Sequence, residues 1–173
     1  MHPNEQLIHT FYTCFQRRDG EGMAACYGPE ITFSDPVFTH LQGAQAGAMW
    51  RMLCERGKDL AITFTNVRAD DRTGSAHWEA AYSFGKSGRK VHNVIEAAFE
   101  FRDGKIVKHT DSFDLWKWAG MALGPQGKLL GWLPPVQVAI RKDAARSLES
   151  FTLKVVAHEI GGTQINAEKS DKR

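Results

Sequence analysis

Cysteine is scarce in this sequence: Cys14, Cys26 and Cys54 stand far apart, with no CxxC pair among them. This excludes a disulfide framework and a thiolate zinc site, and each is read as a buried thiol in an apolar helical setting. No apolar run approaches the roughly 20 residues that a membrane-spanning helix requires, so no membrane partner is expected. Charge of one sign is not concentrated: the formal net charge is +2, and the basic clusters are short, such as Arg17-Arg18 and Lys169 to Arg173. A nucleic-acid surface needs a denser stripe, so no nucleic acid is expected either. The N-terminus carries Asn4, Glu5 and Gln6 where a secretion signal would place a basic patch and an apolar run, and a cytoplasmic location is expected. No phosphate-cradling glycine loop or metal-ligand spacing is present, so no cofactor and no metal are expected.

What is present suits one globular domain with a sizeable core: 173 residues, 42% hydrophobic and 24% charged. Residues 4–18 have helical spacing, with Leu7, Phe11, Cys14 and Phe15 on one face and Ile8 and Tyr12 beside it. Asp19-Gly20 is expected to end that helix, the glycine taking the left-handed terminal conformation. A short helix follows at about 22–26, and Tyr27-Gly28-Pro29 reads as a break. A short strand over 31–35 runs into Pro36, and a helix over 44–56 presents Ala48, Met49, Met52 and Leu53, with Trp50 on its flank.

Four strands are predicted at about 60–69, 73–86, 89–102 and 105–115. Asp70 to Gly74, Ser87-Gly88 and Asp103-Gly104 supply the turns between them. Helices first and an antiparallel meander afterwards make an α+β pattern. Alternation places Ala76, Trp78, Ala80, Tyr82 and Phe84 on one face, with Val91, Asn93, Ile95, Ala97, Phe99 and Phe101. On the last strand Val107, His109, Asp111 and Phe113 share a face, and Ile106, Lys108, Thr110 and Ser112 take the other. His77, Glu79, His92 and Glu96 form an outer polar cluster, read as a dimer-interface network. The division expected is a domain over 1–120, an extension over 121–157 packed on it with a helix at 135–150, and a disordered tail over 158–173. Trp116, Trp118 and Trp132 are expected to pin that extension onto the domain.

The residues that stand out chemically are polar groups on apolar inward rows. A buried carboxylate costs several kcal/mol unless it is paired, hydrogen-bonded or protonated. Asp35, His109 and Asp111 are therefore the candidate catalytic set. Asn93 joins them as a ligand contact, within a wall of Phe11, Tyr12, Phe15, Trp50, Trp78, Tyr82 and Phe113. For each there is a plainer reading: Asp35 before Pro36 could cap a turn, His109 could be a core hydrogen-bonding group, and the aromatics could be core.

The stretch from Tyr27 to Asp35-Pro36-Val37 resembles the first-strand motif of ketosteroid isomerases, a tyrosine followed eight residues later by Asp-Pro. The stretch from Asp103 through His109, Asp111 and Phe113 resembles the last-strand motif of SnoaL-like polyketide cyclases. With the element order, the resemblance to the SnoaL-like, ketosteroid-isomerase-like branch of the NTF2-like superfamily spans about residues 4–115. It implies an NTF2-like (cystatin-like) cone, with N-terminal helices packed on a curved antiparallel sheet. It also implies an apolar small-molecule ligand, a homodimer, and Asp35 or Asp111 as the proton-moving group of an isomerase, cyclase or hydrolase; its use of a proton-shuttling aspartate in ketosteroid isomerase is a standard example of carboxylate tuning. The family's oxyanion-hole tyrosine falls on Phe11 and its second donor near Ala97, neither of which donates a hydrogen bond, so the resemblance does not extend to classical steroid isomerisation. No inward arginine completes an epoxide-hydrolase Asp-Arg-Asp set. A non-catalytic binding or dimerisation module on the same scaffold is the competing expectation.

Overall fold

The computed structural model describes the backbone of residues 1–170 and the side chains of residues 1–159. Helix α1 (Pro3–Gln16) starts on a capping box: the Asn4 N–H donates to His2 Nδ1 at 3.1 Å and the His2 N–H to Glu5 Oε2 at 3.0 Å. It ends at Arg18, which itself takes the left-handed conformation (φ 55°) expected of Gly20. Gly20 instead opens helix α2 (Gly20–Ala25), capped by Asp19. A β-carbon on Gly20 would lie 2.7 Å from the Arg51 Cα, so the glycine is required by a close helix crossing rather than by a turn.

Strand β1 (Tyr27–Ser34) begins earlier than the sequence predicts, with Pro29 inside an irregular stretch between Tyr27 and Thr32. A two-residue β2 (Leu41–Gln42) pairs with it before helix α3 (Ala44–Arg56), whose bounds match the expected ones. Strands β3 (Ala61–Ala69), β4 (Thr73–Ser83), β5 (Lys90–Arg102) and β6 (Lys105–Ser112) form the antiparallel meander. Asp103 and Gly104, at φ 50° and 71°, make the turn between the last two. The six strands lie in the order β2-β1-β6-β5-β4-β3, and β1 pairs with β6 in parallel, the one departure from antiparallel pairing among the described strands. Ile106 is fully buried rather than outward, because a register shift between Glu100 and Phe101 sets it opposite Phe101.

Helices α1 and α3 supply Ile8, Phe11, Phe15, Met49 and Trp50 to a core that the inner row of the sheet completes. The glycine-rich segment after the sheet, for which the sequence suggested no helix, forms α4 (Leu115–Leu123) and α5 (Pro125–Leu130). Helix α6 (Pro134–Ser170) outruns the expected 135–150, and its Leu148 and Phe151 are buried in the main core. The disordered tail expected over 158–173 falls largely on residues whose side chains or backbone lie outside the described residues. Of the three late tryptophans only Trp118 is buried; Trp116 is exposed but donates its indole N–H to the Lys128 carbonyl, so these two tie the extension, while the exposed Trp132 bonds only within it. No helix among the described residues is long and apolar enough to cross a membrane.

Candidate functional site

A cavity of about 480 Å³ opens between α3, the inner face of the sheet, α4 and α6. Its walls are mostly apolar, and two acids from the sheet, Asp35 and Asp111, face into it. The parallel pairing explains their proximity. Ser34 of β1 lies opposite Thr110 of β6, so the next residues, Asp35 just past β1 and Asp111 on β6, come near enough for the charge of Asp111 to act on Asp35.

Asp35 Oδ1 accepts the Val37 and Phe38 N–H groups, both at 2.6 Å, so the turn-capping role read from Pro36 is present. Oδ2 makes no hydrogen bond among the described residues and is left to the cavity. Burial pushes the carboxyl up to about 7; the two backbone donors pull against this, and the nearby Asp111 adds to it.

Asp111 ends a chain of donors. Trp50 Nε1 donates to the Tyr27 hydroxyl at 2.7 Å. That hydroxyl lies 2.8 Å from His109 Nδ1, and His109 Nε2 lies 3.0 Å from Asp111 Oδ1. Since the tyrosine oxygen already accepts from the indole, its own proton is free for Nδ1, which assigns the imidazole N–H to Nε2, donating to Asp111. Trp78 Nε1 donates to the same Oδ1 at 3.2 Å, leaving Oδ2 unbonded among the described residues. His109 is fully buried beneath the cavity wall among Phe11, Phe33, Trp50 and Phe99. It is absent from the cavity lining and reaches the cavity only through its hydrogen bond to Asp111, a placement deeper than the direct catalytic role expected of it.

Phe15, Trp50, Trp78, Tyr82, Asn93 and Phe113 line the cavity. Phe11 and Tyr12 do not. Both are fully enclosed behind it, because α1 turns them into the aromatic layer against Trp78 and Tyr27. The Tyr12 hydroxyl has no hydrogen-bond partner among the described residues. Tyr12→Phe is therefore expected to preserve the fold and raise stability by about 1 kcal/mol, measured by urea unfolding, because it removes an unsatisfied buried group.

A donor does reach the cavity from another strand. The Tyr82 hydroxyl accepts Trp118 Nε1 at 2.8 Å, so its own proton points to no protein acceptor among the described residues. Burial raises its phenol above the ordinary range, the Trp118 bond lowers it, and the Asp35 charge raises it. Sequence reasoning placed Tyr82 in the wall but missed this role, since the freedom of its proton depends on a tryptophan 36 residues away. It also missed α6, which contributes Ile140, Asp143, Ala144 and Ser147 to the lining. That helix is tied across the opening by a Lys86–Asp143 ion pair and by Arg141 Nε donating to the Pro36 carbonyl at 2.9 Å. The one arginine among the described lining residues is Arg56, exposed at the rim.

On the outer face, His77 bridges Glu96 and Glu79, and His92 Nε2 meets Glu79 at 2.6 Å, a continuous surface chain. No cluster of His, Cys, Asp and Glu among the described residues has metal-holding geometry. Burial raises the Cys26 and Cys54 thiols to about 11, which makes them poor nucleophiles.

Helices stacked on a strongly curved sheet around one apolar cavity define an NTF2-like architecture, and solved structures of that kind superpose on it. An epoxide hydrolase of the LEH type from M. tuberculosis is 18% identical over 76% of this chain and 96% of its own, with a TM-score of 0.57. TerC co-crystallised with polyporic acid is 17% identical over 71% of this chain and 100% of its own, at 0.61. A protein with a ketosteroid-isomerase-like fold from Catenulispora acidiphila, in complex with trimethylamine, is 10% identical over 74% of this chain and 97% of its own, at 0.61. At these identities the likeness is one of fold. The family profile of the SnoaL-like domain matches residues 8–109, more than half the chain, so the chain belongs to the SnoaL-like family. No curated protein sequence gives a match.

Proposed function

We propose that this protein binds an apolar small molecule in the cavity and moves a proton on it by carboxylate acid–base chemistry, without a cofactor. One observation carries the reading: Asp35 and Asp111 face the same greasy space, each with one oxygen pinned and the other unbonded among the described residues. A carboxyl poised at about 7 holds and releases a proton with comparable ease at neutral pH, which suits a general base. In the proposed step Asp35 takes a proton from a carbon next to a carbonyl. The Tyr82 hydroxyl donates to the carbonyl oxygen as it gains charge, and Asp35 returns the proton to the ligand. Asp111, held by His109, is the second acceptor beside it. The cytoplasm is the proposed location.

The test is exchange in heavy water. Cyclic and aromatic ketones and lactones are incubated with the full chain, and loss of the α-proton signal is followed by NMR, with epoxide opening followed alongside. Catalysed exchange or opening, reduced about a hundredfold by Asp111→Asn, is the expected result. Absence of both reactions for ligands that demonstrably fill the cavity overturns the catalytic reading and leaves a binding protein.

A further inference from the structure

The segment joining the sheet to α6 has a composition unlike the rest of the chain. Between Asp114 and Asp143 there is no acidic residue, while Lys117, Lys128, Arg141 and Lys142 are basic. Here too lie large apolar side chains left in water: Leu129 is 72% exposed, Trp132 55% and Trp116 48%. They form one neighbourhood. Trp116 packs beside Gly131, its indole N–H donates to the Lys128 carbonyl at 2.9 Å, and the Trp132 indole N–H donates to the Leu129 carbonyl at 3.1 Å. Leu130 and Leu123 are also exposed on this α4–α5 unit.

The backbone here is unusually complete. A helix end leaves four carbonyls without partners, and at a surface water normally takes them. At the end of α5 all four are taken by the protein. Gly131 N–H bonds the Gly127 carbonyl, the two indoles bond those of Lys128 and Leu129, and Leu133 N–H bonds that of Leu130. Both exposed indoles thereby have their N–H satisfied as well. Such a helix end can leave water without stranding a donor or an acceptor, the condition for entering the boundary region of a bilayer.

From these features we infer that the α4–α5 unit docks on the surface of an anionic phospholipid bilayer. Its Leu and Trp side chains enter the boundary between headgroups and acyl chains, and the lysines lie among the headgroup phosphates. The expectation of no membrane partner rested on the length needed to cross, and a surface that lies on a bilayer escapes that criterion. Leu123 belongs both to this patch and to the cavity lining, so docking would bring the cavity opening close to lipid. That consequence rests on the cavity being a ligand site; the docking itself does not.

The test uses the full chain and unilamellar vesicles, one set of phosphatidylcholine with an equal part of phosphatidylglycerol, the other of phosphatidylcholine alone. The parent protein is expected to sediment with the anionic vesicles, more weakly with the neutral ones, and with a blue shift of tryptophan emission. Lys128→Glu should weaken anionic binding about tenfold or more. Leu129→Glu should weaken binding to both sets, and neither change should lower the melting temperature, since both side chains are exposed. The inference is overturned if the parent does not sediment with anionic vesicles, or if Leu129→Glu binds as the parent does. It is also overturned if Leu129→Glu splits a parent oligomer into monomers in equilibrium sedimentation, which would assign the patch to a second copy of the chain. Exchange chemistry measured without lipid is untouched by any of these outcomes.

Discussion

Asp35→Asn is expected to cost at least about a hundredfold in turnover and, at the same time, to make the protein more stable in mildly alkaline buffer. The loss follows from removing the proton acceptor. The gain follows from linkage. The native carboxyl titrates at about 7, above the ordinary carboxylate range near 4, so between those values the folded state holds a proton that the unfolded state has released. Stability therefore falls as pH rises through this window, and the full penalty is present above the folded value. Asparagine carries no charge to desolvate and still offers an oxygen to the Val37 and Phe38 N–H groups. Because Asp35 is only half-buried, the gain is discounted to the order of 2 kcal/mol. Urea unfolding of parent and variant in alkaline and acidic buffer checks it: the advantage should shrink toward zero on the acidic side. An active variant removes Asp35 from the mechanism, and one destabilised at both pH values shows that turn capping is its whole role.

The largest loss of stability is expected from His109→Ala, about 3–5 kcal/mol by urea unfolding. The imidazole fills a space enclosed by Phe11, Phe33, Trp50 and Phe99, and its removal leaves a void. It also takes the acceptor from the Tyr27 hydroxyl and a donor from Asp111. Tyr27→Phe should cost less, about 1–3 kcal/mol, since the hydrogen bonds to Trp50 and His109 are lost without a large void. The two costs should not add in the double variant, because both changes cut the same chain of donors. Additive costs would show that the links are independent.

Much of the architecture was readable because periodicity and punctuation agree. Helix α3 and the hairpin turns were marked by their apolar stripe and by Asp-Gly and Ser-Gly pairs. Asp35 and Asp111 were visible as acids on apolar rows, a local signal that survives without knowing what the rows pack against. What escaped depends on contacts distant in sequence. The parallel pairing of β1 with β6 cannot be read from either strand alone. The irregular register opposite Ile106 reverses a face that alternation assigns with apparent clarity. Helices α4 and α5 are short and carry glycines that read as loop, and the contact of α6 with the cavity leaves no mark on a helix that also leaves Val138, Leu153 and Val156 exposed. Phe11, Tyr12 and His109 were placed one layer too shallow, because a pattern of inward residues does not say how many layers lie inside.

The register between β1 and β6 has a further consequence for synthesis. During synthesis β1 emerges early, but among the described strands its one partner nearby in sequence is the two residues of β2. Its long neighbour arrives some seventy residues later, when Ile106 to Thr110 leave the ribosome. Until then Asp35 stands without the strand that carries Asp111, and closing so large a loop is entropically slow. The acid pair is thus a late product of maturation: a nascent chain halted before residue 105 already carries the first acid and lacks the second.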